Sequence, residues 1–383
     1  MKWMVPINDL DAVQSRAIEN IIDNPDKNHW VKGFAGSGKT IVLTHVLERL
    51  ASARPAVKVC FATYAHALKD LVESGLSDNA KSKIDVSTFT ALKNLRKRYD
   101  VVVADEMQDI PSRYLPALAS KSDVLIIAAD LDQSIYRSAC SVSELNAAVK
   151  PAKEHQLREI HRINDTIFEI ATSVYSDVEI VTNTTVRDDG ELARIYRGSS
   201  LKDEMLTMYA EAERVSAKER PSAILLPTRK LLDKFISYVA AENSYVGVVP
   251  SVNDGERSEI GEQADPFKDV NAYLKRNKSP LQVFGSGSGS LYDSDTRKMV
   301  YLMTYHSSKG LDFANVFLPH LTDGMSLNAM KGSTDLEERR LFFVAATRAR
   351  ERLYLSYHDE PHRFIEEIPE EYLEPFRRQK RAY

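Results

Sequence analysis

The sequence contains little cysteine and no long apolar run. Cys60 and Cys140 are the only cysteines among 383 residues, which is too few for a disulfide framework or a cysteine-based zinc site. No stretch of about 18 consecutive apolar residues occurs, which argues against a membrane-spanning helix. The first ten residues, MKWMVPINDL, lack the basic start and apolar core of a secretory signal. We therefore expect a cytoplasmic protein.

The chain also lacks an excess of positive charge. It has 51 Lys and Arg residues against 55 Asp and Glu residues, which gives a formal net charge of −4. This balance argues against a surface coated with basic side chains, although a local groove can still be positive. Net charge therefore neither supports nor excludes a nucleic-acid partner. The hydrophobic content of 43% is typical of a globular protein, and the length allows two or three domains.

Short apolar runs rich in β-branched residues alternate with helical patterns along the chain. Such runs are typical of a parallel sheet that helices cover on both faces. Two sets of runs, separated by a helical region near residues 150–180, predict two α/β domains, at residues 1–153 and 154–383. The predicted strands lie in residues 57–63, 100–106, 123–130, 222–228, 298–307, 315–321 and 351–357.

The segment from Gly285 to Ser290, GSGSGS, has the composition of a flexible linker or a hairpin tip. A native loop and an inserted linker are both compatible with it. We expect no chemistry in this segment.

The segment GFAGSGKT fits the pattern G-x-x-x-x-G-K-[ST] through Gly33, Gly38, Lys39 and Thr40. It lies between a short apolar segment, HWVK, and a helical one, IVLTHVLERL. In this context backbone N–H groups and a helix N-terminus can cradle phosphates. Lys39 is expected to contact the β- and γ-phosphates of a nucleotide, and Thr40 to hold Mg²⁺. The other loop residues expected to contact the nucleotide are Ala35, Gly36 and Ser37.

The segment VVVADEMQD supplies the carboxylates that a phosphate loop needs beside it. Asp105 can hold Mg²⁺ directly or through water, and Glu106 can accept a proton from an attacking water. A third apolar run, VLIIAAD, is followed by LDQSIY, in which Gln133 can sense a γ-phosphate or orient water. We expect these side chains at the carboxyl ends of neighbouring strands, beside the phosphate loop.

Residues 337–357, EERRLFFVAATRARERLYLSY, predict an amphipathic helix that continues into a strand, with Arg348 at the end of the helix. Together with the earlier motifs, this segment resembles the UvrD/Rep group of superfamily 1 helicases. The matching blocks occur in the family order from Gln14 to about residue 357. They are GFAGSGKT, VSTFTAL, DEMQD, DLDQSIY, LREIHRIN, TYHSSKGLDF and RRLFFVAATRAR.

The resemblance implies two RecA-like domains that bind ATP in the cleft between them. It implies that Arg162 and Arg348 reach the γ-phosphate, where such an arginine contributes roughly 10³–10⁵ in rate. It also implies that Gln14 contacts adenine, and His161 stands where the family has an adenine-stacking tyrosine. The further nucleotide or inter-domain contacts that it implies are Gly310 and Asp312.

A single-stranded DNA track, with movement in the 3′→5′ direction, is also implied by the resemblance. Aromatic stacking on bases and polar contacts to phosphates would give a grip that does not depend on sequence. The family's large insertions are reduced here, with one remnant around residues 243–297, which favours a minimal motor on single strands or single/double-strand junctions. The residues expected to contact DNA are Tyr64, His66, Thr88, Phe89, Tyr136, Thr304 and His306.

Two other functions stay open at the level of sequence. In the first, ATP-driven closure of the two domains signals to a partner protein, such as a nuclease, without movement along DNA. The short insertions favour this function, whereas an intact set of hydrolytic residues, which a pure switch does not need, disfavours it. The second is an RNA-dependent ATPase, which only the family analogy disfavours.

Overall fold

The protein, described here by a computed structural model, divides into two compact units. One unit comprises residues 4–162 and 185–186, and the other comprises residues 163–176 and 187–377. This division follows Arg162, whereas the sequence interpretation places it after residue 153. The residues that the structure describes are 4–63, 66–94, 96–130, 134–135, 139–176, 185–251, 267–285, 288–328 and 332–377.

Six strands of the first unit form a wholly parallel sheet. They are β1 (Asn28–Lys32), β2 (Val59–Thr63), β3 (Ile84–Thr88), β4 (Tyr99–Ala104), β5 (Ser122–Ala129) and β6 (Ala152–Gln156). Their order across the sheet is β3-β2-β4-β5-β1-β6. Strand β5 therefore lies between β4 and β1, so the loops that follow these three strands emerge side by side at one edge.

Alternating side chains of the central strands bury both faces of this sheet. In β4, Val101 and Val103 belong to one hydrophobic core, whereas Val102 and Ala104 belong to another. Successive side chains of a strand point to opposite faces, so a sheet covered on both faces needs a continuous apolar run. The three strands predicted in this half of the chain are confirmed as β2, β4 and β5.

The helices of the first unit connect these strands. Helix α1 begins with a capping box, in which Asp11 accepts from the backbone N–H of Gln14 and Gln14 accepts from the backbone N–H of Asp11. The described helices are α1 (Ala12–Asp23), α2 (Lys39–Ala53), α3 (His66–Gly75), α4 (Asp78–Lys81), α5 (Phe89–Asn94), α6 (Leu115–Lys121) and α7 (Val142–Val149).

A separate two-stranded sheet contains both positions at which the described chain passes between the units. It pairs β7 (Glu159–Asn164) with β8 (Thr185–Arg187). The division falls after Arg162 within β7 and before Arg187 within β8.

Seven strands of the second unit form another parallel sheet. They are β9 (Ala193–Gly198), β10 (Ser222–Leu226), β11 (Leu281–Val283), β12 (Val300–Thr304), β13 (Phe313–Leu318), β14 (Ala349–His358) and β15 (Leu373–Pro375). Their order is β11-β12-β10-β13-β14-β9-β15. The four strands predicted in this half are confirmed as β10, β12, β13 and β14.

The helix predicted at the start of residues 337–357 is also present. It is α12, which ends at Ala346, and β14 begins three residues later, with Thr347 and Arg348 between them. None of the helices in the described ranges is long and apolar enough to cross a membrane. The described helices of this unit are α8 (Asp165–Val174), α9 (Leu201–Val215), α10 (Arg229–Glu242), α11 (Lys268–Arg276), α12 (Asp335–Ala346) and α13 (Arg363–Glu366).

Candidate nucleotide-binding site

The phosphate loop connects β1 to α2 and contains two glycines in the left-handed conformation. Gly36 has φ = 82° and Gly38 has φ = 84°, values that residues with a side chain rarely adopt. A Cβ on Gly36 would lie 2.7 Å from Cβ of Arg162, and one on Gly38 would lie 2.4 Å from Nε2 of Gln14. Ala35, which precedes Gly36, is buried. The two glycines thus permit both the turn and the close approach of Arg162 and Gln14 to the loop.

Lys39, the first residue of α2, lies against the phosphate loop. Its Nζ donates hydrogen bonds to the carbonyl oxygens of Gly33 at 2.7 Å and Phe34 at 3.0 Å, and it lies 3.6 Å from Oδ2 of Asp130. The buried hydroxyl of Ser37 has no hydrogen-bond partner among the described residues. An amine, a buried hydroxyl and a helix N-terminus within one loop fit a phosphate ligand.

The two side chains predicted to hold Mg²⁺ are in contact. Thr40, in the first turn of α2, donates a hydrogen bond from Oγ1 to Oδ2 of Asp105 at 2.6 Å. Asp105 follows β4 and is buried. Burial, reinforced by the negative charge of Glu106, raises the pKa of Asp105 to about 6. A hydroxyl and a carboxylate supply the oxygen ligands that Mg²⁺ prefers, so the residues fit this ion.

Glu106, the predicted general base, is held by its neighbours in an uncommon backbone conformation. Its φ of 55° and ψ of 40° are left-handed, which costs about 1–3 kcal/mol for a residue with a side chain. The Glu106 carboxylate accepts a hydrogen bond from Nε2 of Gln108. Oε1 of Gln108 accepts in turn from the backbone N–H of Asp130 at 3.0 Å. These two hydrogen bonds join the carboxyl ends of β4 and β5 through Gln108. Gln108 is 1% exposed, so this connection lies in the interior.

The sequence prediction omitted Gln108 and Asp130. Gln108 lies in the DEMQD segment, two residues after Glu106, but no pattern indicates that its amide faces Glu106. Asp130 ends the apolar run VLIIAAD, and an acidic residue at the carboxyl end of a parallel strand is a signal that could have identified it.

The residues predicted to contact adenine are hydrogen-bonded to the phosphate loop. Nε2 of Gln14 donates to the carbonyl of Ser37 at 3.0 Å. The backbone N–H of His161 donates to the carbonyl of Gly36 at 3.0 Å, and Nε2 of its exposed ring lies 2.8 Å from Oδ2 of Asp11. Asp11, the N-cap of α1, is a further site residue that the sequence prediction omitted.

The two arginines predicted to act on the γ-phosphate belong to different units. Arg162 is in the first unit, against the phosphate loop. Arg348 is in the second unit and is 1% exposed. Its Nε and Nη1 donate to the carbonyls of Val344 at 2.7 Å and Leu311 at 3.2 Å, and its Nη2 donates to Oγ1 of Thr347 at 3.1 Å. Contact of Arg348 with a nucleotide stays a prediction.

Two further predicted nucleotide contacts lie between β12 and β13. Gly310 has φ = 78°, in the left-handed region. Asp312 is half-buried, and its Oδ2 lies 3.5 Å from Nε of Arg350. Both nucleotide contacts stay predictions.

The predicted DNA contacts at the start of α5 are buried in the first unit. Phe89 is 2% exposed and belongs to a hydrophobic core with Trp30 and Leu92. Base stacking would require the Phe89 ring to leave that core. Oγ1 of Thr88 accepts a hydrogen bond from the backbone N–H of Ala91 at 3.3 Å, so this hydroxyl caps the helix.

In the second unit, the predicted DNA contacts lie at the end of β12. Oγ1 of Thr304 accepts from the backbone N–H of Ser307 at 3.2 Å. His306 is half-buried, and burial together with the charge of Lys309 lowers its pKa. Predicted residues that lie outside the described part of the chain are Gln133, Tyr64, Tyr136 and the side chain of His66.

Comparisons with known proteins place similarities in both units. The AAA domain family matches residues 9–190, and the UvrD-like helicase C-terminal domain family matches residues 283–360.

Two helicases are similar to short parts of the chain. The ATP-dependent DNA helicase PcrA of Staphylococcus epidermidis is 39% identical over 105 residues, which cover 23% of this chain and 14% of that protein. DNA helicase II of Escherichia coli is 40% identical over 119 residues, which cover 26% of this chain and 16% of that protein. The similarity thus spans less than a fifth of the length of either relative.

Among solved structures, Arterivirus nonstructural protein 10, a helicase, is similar at a TM-score of 0.40 and 15% identity. The superposition covers 89% of this chain and 61% of the viral protein.

The family matches, the sheet topology and the order of the motifs agree on two α/β units with helicase-like motifs in each. The phosphate loop follows a strand of the first parallel sheet, within the AAA match. The segments TYHSSKGLDF and RRLFFVAATRAR lie in the second unit, within the UvrD-like match. The two units are RecA-like α/β domains. These matches support assignment of the chain to the UvrD/Rep-like group of superfamily 1 helicases.

Proposed function

We propose that this protein hydrolyses ATP between its two RecA-like domains and uses the reaction to move along single-stranded DNA, or to unwind DNA, in the 3′→5′ direction. The contact between Thr40 and Asp105 carries the proposal. It joins the first turn after the phosphate loop to the carboxyl end of β4. The names of two similar proteins, an ATP-dependent DNA helicase and DNA helicase II, support the choice of reaction and track.

In the proposed reaction, Lys39 exchanges its hydrogen bonds to loop carbonyls for contacts with the β- and γ-phosphates. Thr40 and Asp105 hold Mg²⁺, which when bound neutralises charge on the phosphate oxygens. Glu106 accepts a proton from the attacking water, and Gln108 orients its carboxylate. The left-handed backbone of Glu106 stays in place because buried hydrogen bonds hold the residues around it.

Arginine side chains complete the proposed site. Arg162 lies against the phosphate loop, and Arg348 comes from the other unit, so the full positive charge reaches the γ-phosphate only when the domains close. ATP binding then favours the closed arrangement, and product release favours the open one. Alternation between these arrangements moves the DNA-contacting residues relative to each other.

The proposed partners are single-stranded DNA or a single/double-strand junction in the cytoplasm, together with a protein partner such as a nuclease. Thr304 and His306, at the carboxyl end of β12, are the described polar residues offered for phosphate contacts in the second unit. Sequence-independent contacts of this kind suit a motor that passes over every base.

Steady-state ATP hydrolysis by the full chain tests the proposal, measured at fixed low salt without nucleic acid, with single-stranded DNA and with single-stranded RNA. We expect strong stimulation by DNA alone. Equal stimulation by RNA would refute the choice of track. A turnover rate that neither nucleic acid changes would instead support a module that signals to a partner protein on ATP-driven closure.

Two variants test the site itself. Lys39→Ala should abolish turnover, and Glu106→Gln should lower it by about 10²–10⁴-fold, with the fold retained in both. Lys81→Ala, at an exposed lysine that ends α4, is the control and should keep full turnover. Near-normal hydrolysis by either site variant would contradict the assignment.

A further inference from the structure

Three potential metal ligands meet in the second unit, outside the proposed nucleotide site. Glu204 in α9 is fully buried, His320 follows β13 and is 4% exposed, and His358 is the last residue of β14. One ligand atom of each residue lies within 4.8 Å of the other two. Because β13 and β14 are parallel neighbours, their carboxyl ends bring the two histidines together. The two rings stack at 5.3 Å with an interplanar angle of 6°.

Hydrogen bonds orient the Glu204 carboxylate toward the histidines. Its Oε1 accepts from the backbone N–H of His320 at 2.5 Å and from Oγ of Ser356 at 2.8 Å. Its Oε2 accepts from Nδ1 of His358 at 2.7 Å. Metal-binding carboxylates are typically fixed by hydrogen bonds of this kind, and here two donors hold Oε1 while Oε2 faces a ring nitrogen of His358.

His320 has two features that a purely structural histidine does not require. Its Nδ1 is buried and has no hydrogen-bond partner among the described residues. Its backbone is left-handed, with φ = 72°, a conformation that costs about 1–3 kcal/mol. The lone pair of a ring nitrogen is what binds a metal ion, and the buried Nδ1 of His320, which has no other partner among the described residues, can supply it.

The hydroxyl of Tyr305 is another buried polar group that interacts electrostatically with Glu204. This hydroxyl has no hydrogen-bond partner within the described ranges. The Tyr305 side chain is fully buried, and the negative charge of Glu204 acts on its hydroxyl. A cation beside Glu204 would offset the negative charge that this interior otherwise holds.

We propose that Glu204, His320 and His358 bind a divalent transition-metal ion of the zinc class. Two imidazole nitrogens and one carboxylate oxygen are a ligand set that zinc accepts, whereas Mg²⁺ and Ca²⁺ prefer sites made of oxygen atoms. On binding, His358 takes the tautomer whose proton sits on Nε2, so that Nδ1 gives up its hydrogen bond to Glu204 and offers its lone pair to the ion. The ion connects α9 to the ends of β13 and β14. This inference is independent of the proposed function.

Zinc titration of the full chain, after removal of metals with a chelator, tests the proposal. Zn²⁺ affinity is measured by competition with a chromophoric chelator, and Co²⁺ serves as a spectroscopic probe of coordination. We expect one Zn²⁺ per chain and a Co²⁺ spectrum of low coordination number. Glu204→Gln and His358→Gln should each weaken binding by at least about 10-fold. Zn²⁺ should raise the Tm of the wild-type chain but not of these variants.

A second histidine pair supplies the matched control. His29 and His155 in the first unit stack at 5.2 Å, with 3.0 Å between ring nitrogens, but belong to neither group of potential metal ligands in the described chain. His155→Gln should therefore keep the wild-type zinc affinity. If Glu204→Gln does not fold, His358→Gln still decides, because the His358 side chain is partly exposed.

Three results would overturn the proposal. The first is the absence of stoichiometric Zn²⁺ binding to the wild-type chain. The second is equal Zn²⁺ affinity in the wild-type chain and His358→Gln. The third is loss of Zn²⁺ in Asp105→Asn together with retention in His358→Gln, which would locate the ion beside Thr40 and Asp105.

Discussion

Replacing Gln108 with alanine tests whether this buried amide positions the proposed general base. The substitution removes the hydrogen bond to the Glu106 carboxylate and the acceptor for the backbone N–H of Asp130. Leaving that N–H without its acceptor in the interior should lower the free energy of unfolding by about 1–3 kcal/mol. Turnover should fall by about 10–100-fold, which is part of the roughly 10²–10⁴-fold that a positioned general base contributes.

Glu106→Gln separates the two effects. The new side chain keeps a carbonyl oxygen that can accept from Nε2 of Gln108, so the free energy of unfolding should change by less than about 1 kcal/mol. The base itself is lost, so turnover falls further than in Gln108→Ala. In the double variant, Gln108→Ala should still destabilise the fold but should no longer change turnover, because it acts on turnover through Glu106.

The assays are phosphate release at saturating Mg·ATP and single-stranded DNA, and urea unfolding of the same four proteins. We expect Gln108→Ala to lower kcat with little change in KM, since Gln108 contacts the base rather than the nucleotide. If Gln108→Ala lowers turnover by the same factor with and without Glu106, the positioning role is refuted.

Three further predictions rest on local geometry. Gly36→Ala should raise the KM for ATP about 10-fold, because the new Cβ would lie 2.7 Å from Cβ of Arg162, an overpacking of about 1–3 kcal/mol. Gly324→Ala is the control and should leave KM unchanged, because Gly324 also has a positive φ, 71°, but its new Cβ would have nothing within 4 Å. Arg348→Ala should lower the free energy of unfolding by about 2–3 kcal/mol in urea, because its buried hydrogen bonds to two carbonyls are lost. It should also cut turnover while sparing binding of a fluorescent nucleotide; lost binding with normal turnover per bound ATP would contradict the role of Arg348. Burial lowers the pKa of His155 from 6.5 to about 4, so the unfolded chain binds this proton first, and the free energy of unfolding should fall as pH drops from 6.5 to 4. His155→Gln should make that decline shallower in urea titrations, and an unchanged slope would contradict the assignment.

The strands and the phosphate loop could be predicted because the signals for them are local. The alternating burial of Val101, Val102 and Val103 requires an unbroken apolar run, and such a run is visible in the sequence. GFAGSGKT is recognisable because two left-handed positions and a helix N-terminus demand glycines and a Lys-Thr pair at fixed spacing. The prediction that Asp105 lies beside the phosphate loop followed from strand ends meeting at one edge of a parallel sheet.

Other features depend on side chains that are far apart in the chain. No pattern indicates that Gln108 joins Glu106 to Asp130, because its amide could face either side of its turn. The sequence also suggests that Phe89 and Arg348 are available to ligands, whereas the folded chain buries both.

The sequence by itself determined the two parallel α/β units, the phosphate loop and the family resemblance, because strand periodicity and loop motifs lie in consecutive residues. Only the tertiary structure brought together Glu204, His320 and His358. The two histidines follow Glu204 in the chain by 116 and 154 positions. Their meeting depends on the order of β13 and β14 in the sheet and on the contact of α9 with these two strands. Such contacts arise from the packing of whole elements, which the sequence around any one residue does not specify.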